Sequence, residues 1–238
     1  MKKLILFSSG LDSTYLVYKN LTEGHNVDVV YSELLNNEYK TKIEKQNILK
    51  LISLFQEEFP NKIKNLNEDN WFNVFATTAN SYSTDLKQSL FWLTTIAQHL
   101  KYDNTNFYNQ IEIAYVLQDQ AVSYINELTN TYKTLCKLTT KTNKQKYPKL
   151  MFPLIKTHKV DIFNNLPEKY REHIWSCENP IVTQINDDIT ISSCGECEPC
   201  LTQKRLNLYN LTTNTFILQN NKNIFPMQTT IVSNNYRI

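Results

Sequence analysis

The sequence predicts an α/β protein, with a Rossmann-like parallel sheet that carries helices on both faces and a small C-terminal metal-binding subdomain. Two observations support this prediction. Near the N-terminus, an apolar run, a serine-rich loop, a helical stretch and a second apolar run follow one another within about thirty residues, as in a βαβ unit. Near the C-terminus, four of the five cysteines gather between positions 177 and 200.

Local patterns of apolar residues predict the individual elements. The predicted strands cover residues 4–7, 27–31, 111–117, 215–218 and 229–232. The predicted helices cover residues 14–22, 43–59, 86–100 and 121–128. Residues 131–149 are polar and basic, which predicts a loop or a surface helix. Gly24 follows the first helical stretch and is expected at its C-terminal cap.

The composition is that of a soluble globular protein, with 41% hydrophobic and 20% charged residues. A net charge of +2 favours neither a nucleic acid nor a membrane as a direct partner. The apolar run at 4–7 is too short for a signal peptide, and no segment approaches the ~18–20 apolar residues that span a bilayer. The sequence therefore predicts a cytoplasmic protein.

The loop Ser8-Ser9-Gly10-Leu11-Asp12-Ser13 has the composition of a phosphate site. A helix that follows such a loop directs its free N–H groups and the positive end of its dipole into it. The serine hydroxyls add donors, and Gly10 is expected to let the backbone close around an anion. No Walker lysine follows. The alternative is an ordinary βα turn with Asp12 or Ser13 as the N-cap.

The cysteines Cys177, Cys194, Cys197 and Cys200 have the spacing of a metal knuckle. Four thiolates form a closed tetrahedral zinc site of the structural kind, although an iron–sulfur cluster also takes four cysteines. Cys136 stands alone and is predicted to be a buried small hydrophobic residue. The four histidines show no metal-ligand spacing.

The serine-rich loop resembles the PP-loop, Ser-Gly-Gly-x-Asp-Ser, of enzymes that cleave ATP between its α and β phosphates, with Ser9 in place of a glycine. This resemblance implies the adenine nucleotide alpha hydrolase form of the α/β fold, and ATP with Mg²⁺ as co-substrate. It also implies a set of nucleotide-binding residues, which are Ser8, Ser9, Gly10, Leu11, Asp12, Ser13 and Tyr31. Asp12 and Ser13 are the implied catalytic residues.

A PP-loop followed by a Cys and a Cys-x-x-Cys-x-x-Cys is similar to the layout of the 7-cyano-7-deazaguanine synthase (QueC) family. Trp175-Ser176-Cys177 resembles that family's entry into the knuckle, and Phe152-Pro153-Leu154 with Lys159 resembles its Pro-Leu segment and downstream lysine. The resemblance implies that the carboxylate of 7-carboxy-7-deazaguanine is adenylated with release of pyrophosphate, and that ammonia then yields an amide and finally a nitrile. Lys159 is the implied catalytic contact to the α-phosphate.

The resemblance divides the chain into three regions. Residues 1–174 are predicted as the PP-loop ATP-binding domain and residues 175–205 as the four-cysteine zinc knuckle. Residues 206–238 are predicted as an appendage that could serve as an arm of a homodimer.

The chain departs from the family around its purine-like substrate. The family's Gly-Arg-Asn segment is missing from residues 75–93, and Gln118-Asp119-Gln120 replaces another family segment. Glu178-Asn179-Pro180 follows the first cysteine, and Gln203 occupies the place of an arginine. These changes predict that activation of ATP is retained and that the acceptor has changed.

Three hypotheses follow. The sequence favours a QueC-like ligase of antiphage defence systems, including cyclic-oligonucleotide-based ones, that passes the activated 7-deazaguanine carboxylate to a protein amine. The second hypothesis is a genuine 7-cyano-7-deazaguanine synthase that uses ammonia and supplies queuosine-type tRNA or DNA modification. The third, from another class, is a non-catalytic nucleotide-binding module.

Overall fold

A computed structural model describes residues 1–34, 37–65, 72–74, 88–102, 108–139, 147–185, 188–208 and 215–218. The strands are β1 (Lys2–Leu6), β2 (Asn26–Val30), β3 (Ser32–Leu34), β4 (Ile63–Asn65), β5 (Phe72–Val74), β6 (Gln110–Glu112), β7 (Lys149–Met151), β8 (Ile181–Ile185), β9 (Asp188–Ser192) and β10 (Thr215–Leu218). The α-helices are α1 (Leu11–Thr22), α2 (Glu38–Glu58), α3 (Gln88–Tyr102), α4 (Ile125–Thr139), α5 (Lys159–Asn165), α6 (Glu168–Arg171) and α7 (Glu198–Arg205), and a 3₁₀ turn covers Gln120–Tyr124.

The central sheet has the order β4-β2-β1-β6-β7, and all of its described pairings are parallel. β1 is the middle strand, with Lys3 opposite Val27 of β2 on one side and opposite Gln110 of β6 on the other. The strand order reverses between β1 and β6. Such a switch point opens a crevice at the carboxyl ends of the two strands, where open α/β sheets bind their ligands.

Helices cover both faces of this sheet because successive residues of β1 point to opposite sides. Ile5 and Phe7 belong to a core shared with α1, α2, α5 and α6, whereas Leu4 and Leu6 belong to a core shared with α3 and α4. The Rossmann-like parallel sheet with helices on both faces, which the sequence predicts, is therefore confirmed.

The cysteine region adds a smaller antiparallel sheet in the order β10-β9-β8. β8 and β9 form a hairpin between the first cysteine and the other three, and the sequence patterns did not predict it. β10 pairs with β9, so the predicted strand at 215–218 is confirmed and joins the chain's own cysteine region. The predicted strand at 229–232 lies outside the described residues. A separate short parallel pair joins β3 to β5.

The strand predicted over 111–117 is wrong beyond Glu112. After β6 the chain turns, with the N–H of Tyr115 donating to the carbonyl of Ile113 and the N–H of Val116 donating to the side chain of Asp119. The run is apolar because it packs over the end of the sheet, with Ile113 and Tyr115 in one core and Val116 in the other. Burial that continues after the last backbone bond to β7, from the N–H of Ile113 to the carbonyl of Met151, thus produced the misleading pattern.

The remaining helix predictions differ from the structure mainly at their ends. α2 begins at Glu38 because the side chain of Asn37 accepts from the N–H groups of Tyr39 and Lys40 and caps the helix. α4 runs to Thr139, so the surface-helix alternative for residues 131–149 holds for their first part. Gly24 takes a φ of +80° directly after α1, as its predicted role requires. None of the described helices is long and apolar enough to span a bilayer.

Candidate nucleotide site and metal centre

The serine-rich loop lies between β1 and α1 at the carboxyl edge of the sheet. Gly10 is the N-cap of α1, with φ −71° and ψ 161°, and Asp12 and Ser13 lie in the first turn of the helix. The interpretation that Asp12 or Ser13 is the N-cap is therefore wrong. The Ser13 hydroxyl donates to the carbonyl of Gly10 at 3.2 Å and accepts from the N–H of Ser8 at 3.4 Å, which holds the loop closed.

Ser9, rather than Gly10, has the unusual backbone conformation of this loop. Its φ is +57°, in the left-handed region, whereas the φ of Gly10 is ordinary. A Cβ added to Gly10 would lie 3.5 Å from the hydroxyl of Ser8, which is a normal contact. Gly10 therefore does not need the conformational freedom of glycine, and its predicted role in letting the backbone close around an anion stays a prediction. A left-handed serine costs about 1–2 kcal/mol, so the surrounding structure holds Ser9 in place.

Several buried polar atoms around this loop have no hydrogen-bond partner within the described part of the chain. They are Ser9 Oγ, Thr14 Oγ1 and Asp12 Oδ1. Ser9 and Thr14 are both fully buried, and a buried polar atom without a partner costs free energy. The hydroxyls lie beside the free N–H groups at the start of a twelve-residue helix. This set of donors suits an anion, and the carboxylate oxygen of Asp12 suits a cation next to it.

Lys159, the first residue of α5, reaches the loop from the opposite side. Its Nζ lies 3.0 Å from Oδ2 of Asp12 and 3.6 Å from Oδ1 of Asp119. Asp119 follows β6, and its Oδ2 accepts from the N–H of Val116 at 2.9 Å. The two carboxylates thus come from the loops after β1 and β6, on either side of the switch point. Lys159 joins them.

Burial raises the pKa of Asp12 to about 6, against the opposing effect of Lys159 and with a further upward contribution from Asp119. Burial also lowers the pKa of Lys159, but the two carboxylates outweigh it, so this pKa lies above its usual value. Lys159 is consequently an ammonium at neutral pH. Asp12 is a carboxylate there, and it becomes protonated in mildly acidic solution.

A cleft of about 190 Å³ opens in front of the loop. Its walls come from the loop, α2, α3, α5 and the cysteine region, and the residues that line it include Ser8, Gly10, Leu11, Asp12, Tyr31, Trp92, Lys159, Trp175, Glu178 and Gln203. A second hollow of about 270 Å³ shares the loop residues and extends to Ser13, Tyr115 and Asp119. Every predicted nucleotide-binding residue except Ser9 lines one of the two spaces. Ser9 lies buried directly behind them.

A second charged cluster lines the same cleft. Lys40, on the first turn of α2, is only 5% exposed and forms ion pairs with Glu178 and, at 3.9 Å, with Glu44. The phenolic O–H of Tyr31 donates to Glu44. Burial raises the pKa of Glu44, although Lys40 and Tyr31 act in the opposite direction. Two carboxyl groups and one ammonium therefore line the cleft here, and the loop carries a similar set in Asp12, Asp119 and Lys159 beside the positive end of the helix dipole.

The four clustered cysteines come together as the sequence predicts. The sulfur atoms of Cys177, Cys194, Cys197 and Cys200 all lie within 4.8 Å of one another. The N–H groups of Cys194, Glu196 and Cys197 donate to cysteine sulfurs at 3.3–3.4 Å. Gly195 takes a φ of +73° in the turn between the cysteines. The cluster can hold a metal ion.

The spacing of these sulfurs fits a single ion. Tetrahedral bonds of ~2.3 Å from zinc place neighbouring sulfurs ~3.8 Å apart. Cys177 Sγ lies 3.5 Å from Cys194 Sγ and 3.9 Å from Cys197 Sγ. A four-iron cluster attaches each cysteine to a different iron atom and therefore holds the sulfurs farther apart. The sulfur spacing, unlike the donor set, therefore favours a single ion.

Cys136 is buried on α4, as predicted, and burial raises the pKa of its thiol to about 11. His158 is the N-cap of α5 and pairs its Nδ1 with Gln118 at 2.8 Å, away from the cysteines. The segment in which the sequence lacks Gly-Arg-Asn lies outside the described residues as far as position 87.

Three further residues belong to the site although the sequence analysis did not select them. Asp119 had a signal, because it stands in Gln118-Asp119-Gln120 directly after a predicted strand. No sequence feature marks Lys40 and Glu44 as part of a site, because a Lys and a Glu four residues apart on a helix usually form a solvated surface pair.

The fold and the site together define the class of the protein: a Rossmann-like α/β protein with a serine-rich loop after its first strand and a cluster of four cysteines that can hold a metal ion. No protein-family model matches the chain, and curated proteins offer no significant sequence match. Solved structures do match, in 29 chains.

The chain is similar to the U34-tRNA thiolase NcsA from Methanococcus maripaludis with its [4Fe-4S] cluster, at 15% identity and a TM-score of 0.44, over 88% of this chain and 67% of that one. It is also similar to a predicted subunit of a tRNA methyltransferase from Methanocaldococcus jannaschii, at 12% identity and a TM-score of 0.39, over 72% of each chain. A third similar structure is NMN synthetase from Francisella tularensis, at 16% identity and a TM-score of 0.33, over 68% of this chain and 58% of that one.

Proposed function

We propose that the protein is an ATP-dependent carbon–nitrogen ligase of the PP-loop type, which forms AMP and pyrophosphate. The observation that carries this proposal is the loop between β1 and α1. There, the free N–H groups at the start of α1 and the side chains of Ser8, Asp12 and Lys159 meet at one cleft. This arrangement suits the phosphates of a nucleotide, because it offers both fixed donors and a positive charge.

In the proposed first step, a carboxylate oxygen of the substrate attacks the α-phosphorus of ATP. The bond from that phosphorus to the bridging oxygen of the β-phosphate breaks, and pyrophosphate leaves with the electron pair. Lys159 stabilises charge on the phosphates, and Asp12 holds the Mg²⁺ that accompanies ATP. The loop donors bind the pyrophosphate as it leaves.

In the second step, an amine attacks the acyl carbon of the adenylate, AMP departs and the amine nitrogen loses a proton. Glu44 and Glu178 in the lining of the cleft support an amine acceptor, since a carboxylate attracts an ammonium group and can take its proton.

The finer identity of the reactants rests on the sequence resemblance to the QueC family. We propose 7-carboxy-7-deazaguanine as the carboxylate and an amine of a protein, in an antiphage defence system, as the acceptor. The alternative acceptor is ammonia, with a nitrile as the product, for queuosine-type tRNA or DNA modification. We also propose that the four cysteines hold a structural Zn²⁺, on the strength of their sulfur spacing.

A direct test incubates the protein with ATP, Mg²⁺, 7-carboxy-7-deazaguanine and either ammonium or a lysine-containing peptide, and measures AMP and products by mass spectrometry. An amide on the peptide supports the favoured acceptor, and a nitrile formed with ammonium supports the alternative. If the protein binds ATP but forms no AMP with either amine, the hypothesis of a non-catalytic nucleotide-binding module is supported. Absence of ATP binding contradicts the proposal as a whole.

Two lysine variants sharpen this test. Lys159→Met removes the cation that faces the loop and is expected to lower the rate of AMP formation by about 10²–10³-fold, the usual effect of losing one preorganised group that stabilises transition-state charge. Lys156→Met removes an exposed lysine three residues earlier and is the matched control, with a rate expected to equal that of the wild type. Equal rates in the two variants would exclude Lys159 from the chemistry.

A further inference from the structure

Trp175 connects the metal knuckle to the serine-rich loop. Its backbone N–H donates to the carbonyl of Ser9 at 3.2 Å, and its indole Nε1–H donates to the carbonyl of Cys177 at 2.9 Å. The residue is 2% exposed. A single side chain and its own peptide group thus contact both the left-handed residue of the loop and the first metal ligand.

The packing of Trp175 assigns it to the knuckle rather than to the sheet. It belongs to a small core with Ile43, Cys177, Ile191 and Cys200, which is separate from the two cores on the faces of the central sheet. Two of these neighbours are cysteines of the metal cluster. The position of the indole ring therefore depends on the conformation of the knuckle.

The contact to Ser9 determines how the loop presents its donors. In a trans peptide group the C=O and the following N–H point in opposite directions. Since the carbonyl of Ser9 is bonded to Trp175, the N–H of Gly10 points away from the knuckle. The same hydrogen bond helps to hold Ser9 at a φ of +57°, which serine adopts only at a cost in free energy.

We propose that Trp175 is a positioning residue through which the metal-bound knuckle holds Ser9, and with it the loop, in the conformation that binds phosphate. This inference rests on the proposed function insofar as the loop is taken as the nucleotide site. Binding of metal and binding of nucleotide are then coupled, although the two ligands do not touch. The coupling must be reciprocal, because each ligand changes the affinity for the other by the same factor.

Other contacts across the same boundary point the same way. Glu178, next to Cys177, pairs with the buried Lys40 of α2, and Pro199, Thr202 and Gln203 of α7 line the cleft. The knuckle is therefore one wall of the cleft.

The first experiment compares Trp175→Phe with the wild type. Phenylalanine keeps an aromatic ring in the small core but removes the hydrogen bond to Cys177. We expect one metal ion per chain in both proteins and an affinity for pyrophosphate about tenfold weaker in the variant, measured by calorimetry. Lys204→Met is the control, because Lys204 donates to the carbonyl of Gly195 on the outer side of the knuckle at 2.7 Å. Its affinity for pyrophosphate is expected to equal that of the wild type.

The second experiment uses Ser9→Gly, since glycine adopts the left-handed conformation without assistance. In that background Trp175→Phe is expected to weaken the binding of pyrophosphate by clearly less than in the wild type. Comparison of the four proteins in a double-mutant cycle cancels the loss of the Ser9 hydroxyl itself. A full tenfold loss in the glycine background would overturn the inference. The same comparison shows whether Trp175 acts only through overall stability, because Trp175→Phe would then weaken pyrophosphate binding equally in the wild-type and Ser9→Gly proteins.

The third experiment measures reciprocity in the wild-type protein. Saturating pyrophosphate is expected to raise the affinity of the protein for the metal, measured by equilibrium competition with a chelator. The expected factor equals the loss of pyrophosphate affinity caused by Trp175→Phe. Chelator competition unaffected by pyrophosphate would overturn the inference, even if Trp175→Phe proves too unstable to purify. If the metal-loaded wild type binds pyrophosphate and its variants bind it equally well, the inference fails and the proposed function stands. If the metal-loaded wild type binds neither ATP nor pyrophosphate, the proposed function fails, and the inference with it.

Discussion

At the scale of single residues, Ser9 and two of the three glycines have a positive φ, whereas Gly10 does not. Gly24 and Gly195 have φ values of +80° and +73°, which few other residues adopt without strain. Gly10 has an ordinary φ, and the left-handed position in the loop belongs to Ser9. This is the position at which the loop departs from the Ser-Gly-Gly pattern that it resembles. The departure places a buried hydroxyl at a left-handed position that glycine would adopt without strain.

Ser9→Gly is expected to relieve the strain of the loop. Replacement of a left-handed residue by glycine removes about 1–2 kcal/mol of strain, and the added freedom of the unfolded chain takes back about 0.4–1 kcal/mol. The net expectation is a gain of about 0.5–1 kcal/mol in the free energy of unfolding, measured with urea. Ser8→Gly is the control and should lose stability, because Ser8 does not have a positive φ. A Ser9→Gly protein that is less stable than the Ser8→Gly protein would contradict the claim that Ser9 is strained.

The raised pKa of Asp12 predicts a pH dependence of Mg²⁺-dependent AMP formation. Burial raises this pKa to about 6, so the carboxylate that binds the cation is lost as the pH falls through that value. The rate at subsaturating Mg²⁺ should therefore rise as the pH increases from about 5 to 7. Saturating Mg²⁺ favours the charged form and should move the midpoint to lower pH. A midpoint that does not respond to Mg²⁺ would show that another group titrates.

The same shift has the opposite sign for stability. The pKa of Asp12 in the folded protein lies above the unfolded value of 3.8, so the folded protein binds more protons between these two pH values. The contribution of Asp12 to stability therefore falls as the pH rises from about 4 to 6. The pH range above about 6, in which the Asp12 carboxylate can bind a cation, is therefore the range in which Asp12 contributes least to stability. Shifted pKa values of this kind are common at functional sites.

At the scale of elements, a buried polar network joins β1, α1 and β6. Lys3 Nζ lies 2.8 Å from Oε1 of Glu112, and the amide of Asn20 donates to Oε2 of Glu112 at 2.7 Å. Asn20 also accepts from Lys3. All three residues are almost fully buried, so each charge and dipole depends on the other two. The network lies on β1 and β6, the two strands that flank the switch point.

Glu112→Gln is expected to destabilise the protein by about 3–5 kcal/mol, because the charge of Lys3 is left buried without its partner. Urea denaturation measures this loss directly. Glu23→Gln is the matched control: Glu23 pairs with Lys19 on the exposed face of α1, where such a pair contributes about 0.3–0.5 kcal/mol. A loss of less than 1 kcal/mol for Glu112→Gln would mean that Lys3 finds another partner or releases its proton.

The cysteine knuckle is small, and a bound metal ion would contribute much of its stability. It consists of a hairpin and the eight-residue helix α7, with Cys197 as the N-cap of that helix. Its small core includes two cysteines, so little apolar area remains to fold it without a metal ion. Structural zinc in peptides contributes about 10–16 kcal/mol of apparent binding free energy.

Cys197→Ser should therefore yield insoluble protein, or protein without its metal, as measured by metal analysis of the soluble fraction. Cys136→Ser is the control, because this buried cysteine lies on α4, outside the metal cluster. It is expected to retain one metal ion per chain. A soluble and fully active Cys197→Ser protein would contradict a structural role for the metal.

At the scale of the whole molecule, the cleft is assembled from segments far apart in sequence. Asp12, Asp119 and Lys159 arrive on three separate elements, and the knuckle closes the cleft on another side. A ligand that fills the cleft would contact several of these elements at once. Its binding should therefore stabilise the folded chain against unfolding.

Pyrophosphate with Mg²⁺ is expected to raise the melting temperature of the wild-type protein. At one hundred times its dissociation constant, a ligand that binds only the folded state adds about 2.7 kcal/mol. Lys159→Met should show a much smaller increase at the same concentration, whereas Lys156→Met should behave as the wild type. Equal increases in all three proteins, measured by differential scanning fluorimetry, would place the anion outside the cleft.

The sequence by itself determined the fold class and the two motifs, because each depends on residues that are close together in the chain. A strand, a loop and a helix in succession predict a parallel sheet, and the cysteine spacing predicts a metal centre. The sequence also identified Lys159, although only through a family resemblance. It could not predict the true end of β6, since residues 113–117 are apolar for reasons of tertiary packing.

Only the tertiary structure decided how the motifs meet. It brings Asp119 to Lys159 because the strand order reverses between β1 and β6, which no local pattern encodes. It shows that Ser9, not Gly10, takes the left-handed position, because φ depends on the contacts that hold the residue. And it places Trp175 between loop and knuckle, so that two motifs far apart in the chain share one wall of the cleft.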